Sequence, residues 1–208
     1  MTSQIIPSLM ACPVLEIREY VLSAVELGVE TFHIDIMDRS FVDNFAMTPG
    51  IIPETLKLSQ AIRLQVHLMI NKPLNVIKSL SLDEKRIDYF VHQGQEGCLE
   101  ALSRQNTHMT FNLFESVTIA DDLSSQFLAM AVPIGRCGQQ TDFNLYKSLS
   151  DCSKVLALNK LTLDGGVKVE SIKELKKFGL KGLVMGSGIF QQNQSPLSMT
   201  KLALNALI

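Results

Sequence analysis

The chain has 208 residues, of which 46% are hydrophobic and 19% are charged, and its formal net charge is −2. This length fits a single domain, and the composition excludes an intrinsically disordered or fibrous protein. Lys and Arg number 19 against 21 Asp and Glu, and tryptophan is absent. The sequence therefore argues against a nucleic-acid surface built on phosphate neutralisation and favours a small substrate.

The cysteines and the N-terminal segment indicate the compartment. Four cysteines are widely spaced and form no CxxC pair: Cys12, Cys98, Cys137 and Cys152. This usage predicts reduced thiols and a cytoplasmic protein. The apolar start lacks a cationic region and is interrupted by Pro7 and Pro13, so we expect no signal peptide. No apolar run approaches the ~18 to 20 residues that cross a bilayer, and we expect no membrane partner.

Strand-like and helix-like segments alternate along the chain. Eight short apolar or alternating runs predict strands at 5–10, 31–37, 63–70, 87–92, 108–112, 126–132, 159–164 and 182–185. Helical spacing is clearest at 14–27, 74–80, 169–178 and 196–207. This alternation favours parallel strands and predicts a single (β/α)8 barrel domain over residues 1–208. A doubly wound sheet would need a glycine fingerprint after the first strand, and the segment 7–10 has none.

Polar residues share one face of the predicted strands. Side chains alternate along a strand, so the second strand places His33, Asp35 and Met37 on one face, opposite its aliphatic residues. The third strand repeats this arrangement with His67 and Met69. The same parity groups Gln65 with His67, Ser8 with Met10, Asp88 with His92, Thr110 with Asn112, and Lys160 with Thr162 and Asp164. We expect this polar face to point into the barrel mouth, where barrel enzymes place their active sites.

Four of these inward residues form a candidate metal site. They are His33, Asp35, His67 and Asp164, from three different strands. Imidazole nitrogen and carboxylate oxygen together suit one divalent ion such as Zn²⁺, Fe²⁺, Mn²⁺ or Co²⁺. The alternative is that each side chain is a hydrogen-bonded polar group of the barrel interior. The shared parity favours the metal, because buried charges and imidazoles are costly unless paired or metallated.

Two glycine clusters follow the last two predicted strands. Gly165 and Gly166 come directly after Asp164, and Gly186-Ser187-Gly188 ends the eighth strand. Backbone amides at these strand ends are the usual phosphate-binding device of this barrel, so the clusters predict a phosphorylated substrate. The alternative is that these glycines only form turns.

Methionines and one loop also border the predicted mouth. Four methionines are predicted to end strands on the inner face, either as ordinary packing or as a ring that keeps water from the centre: Met10, Met37, Met69 and Met130. The segment 135–140 fits either a mobile lid or a surface turn. No partner that could activate Cys137 can be placed, and His92 and His108 are interpreted as structural.

The ordered set of motifs resembles the ribulose-phosphate 3-epimerase family, together with hexulose-phosphate relatives such as allulose-6-phosphate 3-epimerase. The matching motifs extend over nearly the whole chain: Pro7-Ser8-Leu9-Met10, Phe32-His33-Ile34-Asp35-Ile36-Met37-Asp38, Val66-His67-Leu68-Met69, Met130-Ala131-Val132, Gly138-Gln139, Leu163-Asp164-Gly165-Gly166-Val167 and Gly186-Ser187. Each motif alone is weak, whereas their combination in family order is specific.

The resemblance implies a metal-dependent epimerase in a (β/α)8 barrel. In it, Asp35 removes the C3 proton, Asp164 delivers a proton to the opposite face, and the four residues of the candidate site bind one divalent metal. The remaining matches are substrate contacts: Ser8, Met37, Met69 and Met130 at the reacting centre, Gly166, Gly186 and Ser187 at the phosphate, and Gly138 in the lid. Ribulose 5-phosphate is the leading substrate and allulose 6-phosphate the runner-up. We also expect a homo-oligomer.

Loops around the mouth depart from the family pattern. Arg39 stands where the family usually has glycine, Asp43 where it has proline, and Arg136-Cys137 in the lid where it has Phe-Gly. These departures keep a non-catalytic sugar-phosphate binding protein open as an alternative. A decarboxylase or aldolase would need a lysine at the reacting centre, and Lys160 is the only lysine predicted on the inner face of a strand.

Overall fold

Eight parallel strands form the centre of the protein. The computed structural model describes residues 3–80, 84–115, 125–135, 138–139 and 144–208. The strands are β1 (Gln4–Pro7), β2 (Thr31–Met37), β3 (Arg63–Met69), β4 (Ile87–His92), β5 (Thr107–Asn112), β6 (Phe127–Met130), β7 (Leu161–Asp164) and β8 (Gly182–Met185). They pair in the order β1-β8-β7-β6-β5-β4-β3-β2, and a parallel bridge between Ser8 and His33 brings β1 against β2. The predicted (β/α)8 barrel is confirmed.

Helices connect the strands. They are α1 (Ile17–Glu26), α2 (Ile51–Leu58), α3 (Pro73–Leu80), α4 (Cys98–Leu102), α5 (Leu145–Cys152), α6 (Val169–Leu175), α7 (Ser187–Phe190) and α8 (Pro196–Leu207). Helix α8 has the predicted bounds, because Pro196 occupies its first position and the Ser195 hydroxyl accepts a hydrogen bond from the Ser198 amide. Within the described ranges, no helix has both the length and the apolar character to span a membrane.

Short 3₁₀ turns replace one end of two predicted strands. Strand β1 ends at Pro7, and Met10 lies in a 3₁₀ turn at Leu9–Ala11 instead of at a strand end. Strand β7 begins at Leu161, after a 3₁₀ turn at Leu158–Lys160. The prediction that Lys160 lies on a strand and faces inward is therefore wrong, and its side chain is exposed. Alternation of apolar and polar residues does not distinguish a strand from a tight turn that leads into it.

Apolar residues pack against both faces of the strands, outside the barrel and inside it. The outward residues of β2, such as Phe32 and Ile34, are fully buried in the large core that includes α1 and α2. A smaller cluster fills the barrel interior: Ile6, Phe90, Leu128, Met130 and Val184. Polar residues of the same inward face are buried beside this cluster, and Gln65 donates a hydrogen bond to Thr162 on the opposite side of the barrel.

The loop after β2 contains a strained residue that allows a stability test. Arg39 has φ 68° and is the single non-glycine residue with positive φ in the described part of the chain. This conformation costs ~1 kcal/mol or more for an L-residue, whereas its exposed ion pair with Asp43 is worth ~1 kcal/mol at most. Arg39→Gly is expected to raise the free energy of unfolding by about 1 kcal/mol in urea titrations. Arg39→Ala, which keeps the strain and loses the pair, serves as the control; a less stable glycine variant would contradict the prediction.

Candidate active site

The carboxyl ends of three strands supply the candidate metal site. His33 and Asp35 are two residues apart on β2 and so point to the same side. Asp35 is the register partner of His67 on β3, and Asp164 is the last residue of β7. Closure of the barrel brings β7 across from β2. The structure thus places all four predicted residues in one cluster.

The donor atoms of this cluster lie close together. One donor atom from each of the four residues lies within 4.8 Å of the others, an arrangement that could hold a metal ion. The Asp35 Oδ1 atom is 3.3 Å from His33 Nε2 and 3.2 Å from His67 Nδ1. The Asp164 Oδ2 atom is 3.6 Å from His33 Nε2. Both imidazoles are fully buried.

The chemistry of the donors fits a divalent cation. Two nitrogens and two carboxylate oxygens are the ligand types that Zn²⁺, Fe²⁺, Mn²⁺ and Co²⁺ share. Among the described residues that line the cavity around the cluster, there is no lysine or arginine to balance the two carboxylates. Buried carboxylates are costly unless a positive charge balances them, and a bound cation would take over this role from protonated His33.

The two carboxyl groups differ in their tendency to ionise. Burial would raise the pKa of Asp35, but the contacts with His33 and His67 outweigh burial and hold this pKa well below its usual range. Burial raises the pKa of Asp164, and the neighbouring Asp35 carboxylate raises it further. Asp35 is therefore the member of the pair that stays ionised and free to accept a proton, whereas Asp164 keeps its proton to higher pH than an ordinary aspartate, the division of roles that acid–base catalysis requires.

Ser8 holds the second oxygen of Asp35. The Ser8 hydroxyl donates a hydrogen bond of 3.0 Å to Asp35 Oδ2, while Oδ1 faces the two imidazoles. Ser8 follows β1 directly, where the bridge to His33 closes the barrel. The residue predicted to contact substrate is thus also placed to fix the orientation of the Asp35 carboxylate.

A cavity opens over the cluster at the barrel mouth. Its lining includes Asp35 and Asp164 together with every residue predicted to contact substrate: Ser8, Met37, Met69, Met130, Gly138, Gly166, Gly186 and Ser187. Met10 also lines it, although it does not end a strand. Of the predicted lid, Gly135, Gly138 and Gln139 border the cavity, whereas Arg136, Cys137 and Gln140 lie outside the described residues.

The glycines after β7 let the backbone pass close to the cavity. Gly165 has φ 107° and Gly166 has φ 64°. A Cβ atom on Gly165 would lie 2.4 Å from Val132 Cγ2. Only glycine therefore fits beside Val132 immediately after Asp164.

Gly165→Ala is expected to destabilise the protein by about 2–3 kcal/mol, because it combines an unfavourable φ with a steric clash. Gly28→Ala is the matched control: Gly28 has φ 90°, but nothing lies within 4 Å of its Cβ position. Urea unfolding of both variants measures the difference. Equal losses of stability would show that the contact with Val132 is readily relieved.

Two inward residues lie next to the metal cluster in ways that the sequence does not indicate. His92 Nε2 is 2.7 Å from His67 Nε2, whereas the sequence predicts only a structural role for His92. Burial and, to a smaller extent, the neighbouring His67 together lower the pKa of His92 to about 2, so His92 is neutral. Gln65 is the register partner of His33. The shared strand parity was the available signal for both residues.

The comparison with family models decides the classification. A model described as the ribulose-phosphate 3 epimerase family matches residues 4–190. The chain belongs to the ribulose-phosphate 3 epimerase family. Two curated relatives named ribulose-phosphate 3-epimerase are each 24% identical to it. The protein from Buchnera aphidicola subsp. Acyrthosiphon pisum aligns over 94% of this chain and 91% of its own length. The protein from Escherichia coli aligns over 90% and 89%.

Solved structures of other proteins share the fold of this epimerase family member. Phosphoribosyl anthranilate isomerase from Thermus thermophilus superimposes with a TM-score of 0.68 at 15% identity, over 98% of both chains. Thiamine phosphate pyrophosphorylase from Pyrococcus furiosus gives 0.66 at 14% identity, over 99% of this chain and 95% of its own. At this level of identity, the likeness supports the barrel fold alone.

Proposed function

We propose that the protein is a metal-dependent ketose-phosphate 3-epimerase that interconverts D-ribulose 5-phosphate and D-xylulose 5-phosphate. One observation carries the proposal: Asp35 and Asp164, whose pKa values are shifted in opposite directions, share a buried cluster with His33 and His67. This cluster lies in a chain of the ribulose-phosphate 3 epimerase family. Membership accounts for a phosphorylated sugar as substrate, and the cluster accounts for proton transfer.

The proposed reaction moves one proton off C3 and another onto it. A proton on a carbon beside a carbonyl can be removed when the resulting enediolate is stabilised. Ionised Asp35 accepts this proton, and protonated Asp164 donates a proton to the opposite face of the planar intermediate. Two carboxyl groups on opposite faces of the intermediate invert the configuration at C3, whereas a single base would return the proton to the face from which it was removed.

The metal ligands proposed for this reaction are His33, Asp35, His67 and Asp164, and one divalent ion of the Zn²⁺, Fe²⁺, Mn²⁺ or Co²⁺ class fits them. When bound, such an ion supplies electrostatic stabilisation of the negative charge that develops on the substrate oxygens. Ser8 keeps Asp35 oriented through its hydrogen bond. Met37, Met69 and Met130 surround the reacting centre with apolar thioethers that exclude water without donating hydrogen bonds.

The phosphate of the substrate is proposed to bind at the glycine clusters. Gly166, Gly186 and Ser187 line the cavity beside β7 and β8, and Gly138 approaches from the lid segment. Backbone at these strand ends holds the phosphate in many barrels of this type. Binding energy at this remote group would position C3 between the two carboxylates. A lysine-dependent reaction is not supported, because Lys160 is exposed and the described cavity lining holds no lysine.

Incubation of metal-reconstituted protein with ribulose 5-phosphate in D₂O tests the proposal. We expect deuterium at C3 together with the appearance of xylulose 5-phosphate, both followed by NMR. Allulose 6-phosphate, assayed in parallel, is expected to give a lower kcat/KM, and a higher value would assign the protein to the hexulose-phosphate relatives. Binding of both sugars without label incorporation would favour the non-catalytic alternative and overturn the proposal.

A further inference from the structure

We propose that His92 is a positioning residue that orients the metal ligand His67 by accepting a hydrogen bond from its Nε2–H group. The inference builds on the metal site of the proposed function and extends it to a residue outside the ligand set. His67 Nδ1 faces Asp35 Oδ1 at 3.2 Å, whereas His67 Nε2 faces His92 Nε2 at 2.7 Å. The two ring nitrogens of His67 therefore have separate partners.

The geometry determines the tautomers of both rings. A metal ligand must offer a lone pair, so Nδ1 of His67 carries no proton when it binds the ion. The proton is then on Nε2, and His92 Nε2 must accept it. His92 in turn carries its own proton on Nδ1. Outer partners of this kind fix the ring orientation of histidine ligands, although they are more often carboxylates, carbonyls or water.

His92 is itself held in place from several sides. The ring of Phe41 packs against it, with 5.3 Å between centroids. The backbone amide of His92 donates a hydrogen bond of 2.6 Å to Gln95 Oε1. The amide of Gln95 donates to the carbonyls of Leu68 and Ile70, which flank the end of β3. Gln95 thereby links β4 to β3, the strand that carries His67. These hydrogen bonds fix the spacing between the two strands on which the 2.7 Å contact between His67 and His92 depends.

The hydrogen bond gives His67 an uncharged outer partner. An outer carboxylate would add negative charge to a site that already holds Asp35 and Asp164, and it would increase the electron donation of the imidazole. His92 orients the ring without adding this charge. His92 also lines a second cavity, together with Thr110 and Asn112 among others.

Three variants and one wild-type measurement test this role. His92→Phe keeps a ring and removes the acceptor, His92→Gln retains an acceptor oxygen, and His108→Phe replaces a buried barrel imidazole that instead contacts Asp88. Cobalt and zinc affinities are measured by competition with a chelator, and the visible spectrum of the Co²⁺ form reports ligand geometry. We expect affinity to fall about 10- to 100-fold in His92→Phe, to stay within about threefold of wild type in His92→Gln, and to be unchanged in His108→Phe.

Nitrogen-15 NMR of the zinc-loaded wild-type protein provides a readout that needs no variant. Zinc on Nδ1 and a slowly exchanging proton on Nε2 of His67 are expected. Zinc on Nε2, or equal losses of affinity in His92→Phe and His92→Gln, would overturn the inference. Since metal affinity is measured without substrate, a protein that binds metal in this way but does not epimerise sugars would contradict only the proposed function.

Discussion

Asp164→Asn is expected to slow epimerisation severely while leaving exchange of the substrate's C3 proton intact. With ribulose 5-phosphate in D₂O, Asp35 still removes the proton, exchanges it for a deuteron from the solvent and returns the deuteron to the same face. The substrate should therefore become labelled at C3 without forming xylulose 5-phosphate. General acid catalysis contributes roughly 10²- to 10⁴-fold, so we expect a fall of this size in kcat for epimerisation.

The asparagine variant keeps an oxygen donor at the metal site, and its metal content must be measured alongside the rate. Asp88→Asn is the matched control, because Asp88 is a barrel-interior carboxyl group paired with His108 and lies outside the site. It should epimerise at close to the wild-type rate. The reciprocal variant Asp35→Asn should exchange the proton of xylulose 5-phosphate in preference to that of ribulose 5-phosphate. If Asp164→Asn neither exchanges nor epimerises, the two carboxylates do not act on opposite faces.

The sequence predicted the fold well where the strand pattern was unambiguous. Strand β2 has the predicted bounds, and polar and apolar residues alternate through the first six of its seven positions. The prediction misplaces the ends of β1 and β7 because short 3₁₀ turns stand there instead of strand. The sequence contains no local signal that separates the two conformations there, and the backbone pairing with neighbouring strands decides between them.

The sequence predicts which residues form the candidate site, but it does not predict the contacts among them. Strand parity placed His33, Asp35 and His67 on one face without any knowledge of the structure. The approach of Asp164 to His33 depends on barrel closure, which brings together residues more than 100 positions apart. The register of His67 with Phe90 and the tilt of the strands determine where His92 lies along the barrel axis relative to His67. Neither quantity can be read from one sequence, so the contact between His67 and His92 was missed.

Removal of the metal is expected to abolish epimerisation, and metal affinity is expected to rise steeply with pH. Burial alone would lower the pKa of His33, but the Asp35 and Asp164 carboxylates outweigh it and raise this pKa to about 9 in the metal-free protein. His33 is therefore protonated at neutral pH and must lose its proton to bind a cation. Below about pH 9 the apparent association constant should increase about tenfold per pH unit, and above it the curve should flatten.

The pH at which the affinity curve flattens, called the bend here, distinguishes a His33 whose pKa is raised by the carboxylates from an unperturbed histidine. An unperturbed imidazole titrates near 6.5, so its competition with the metal would end about two pH units lower. Chelator competition with Zn²⁺ from pH 6 to 9.5 locates the bend, and calorimetry in buffers of different ionisation enthalpy counts the protons released. Asp164→Asn removes one of the two charges that raise the pKa of His33 and should move the bend to lower pH. A wild-type affinity that is flat above pH 7 would show that His33 is already neutral there and that the carboxylates do not hold its proton.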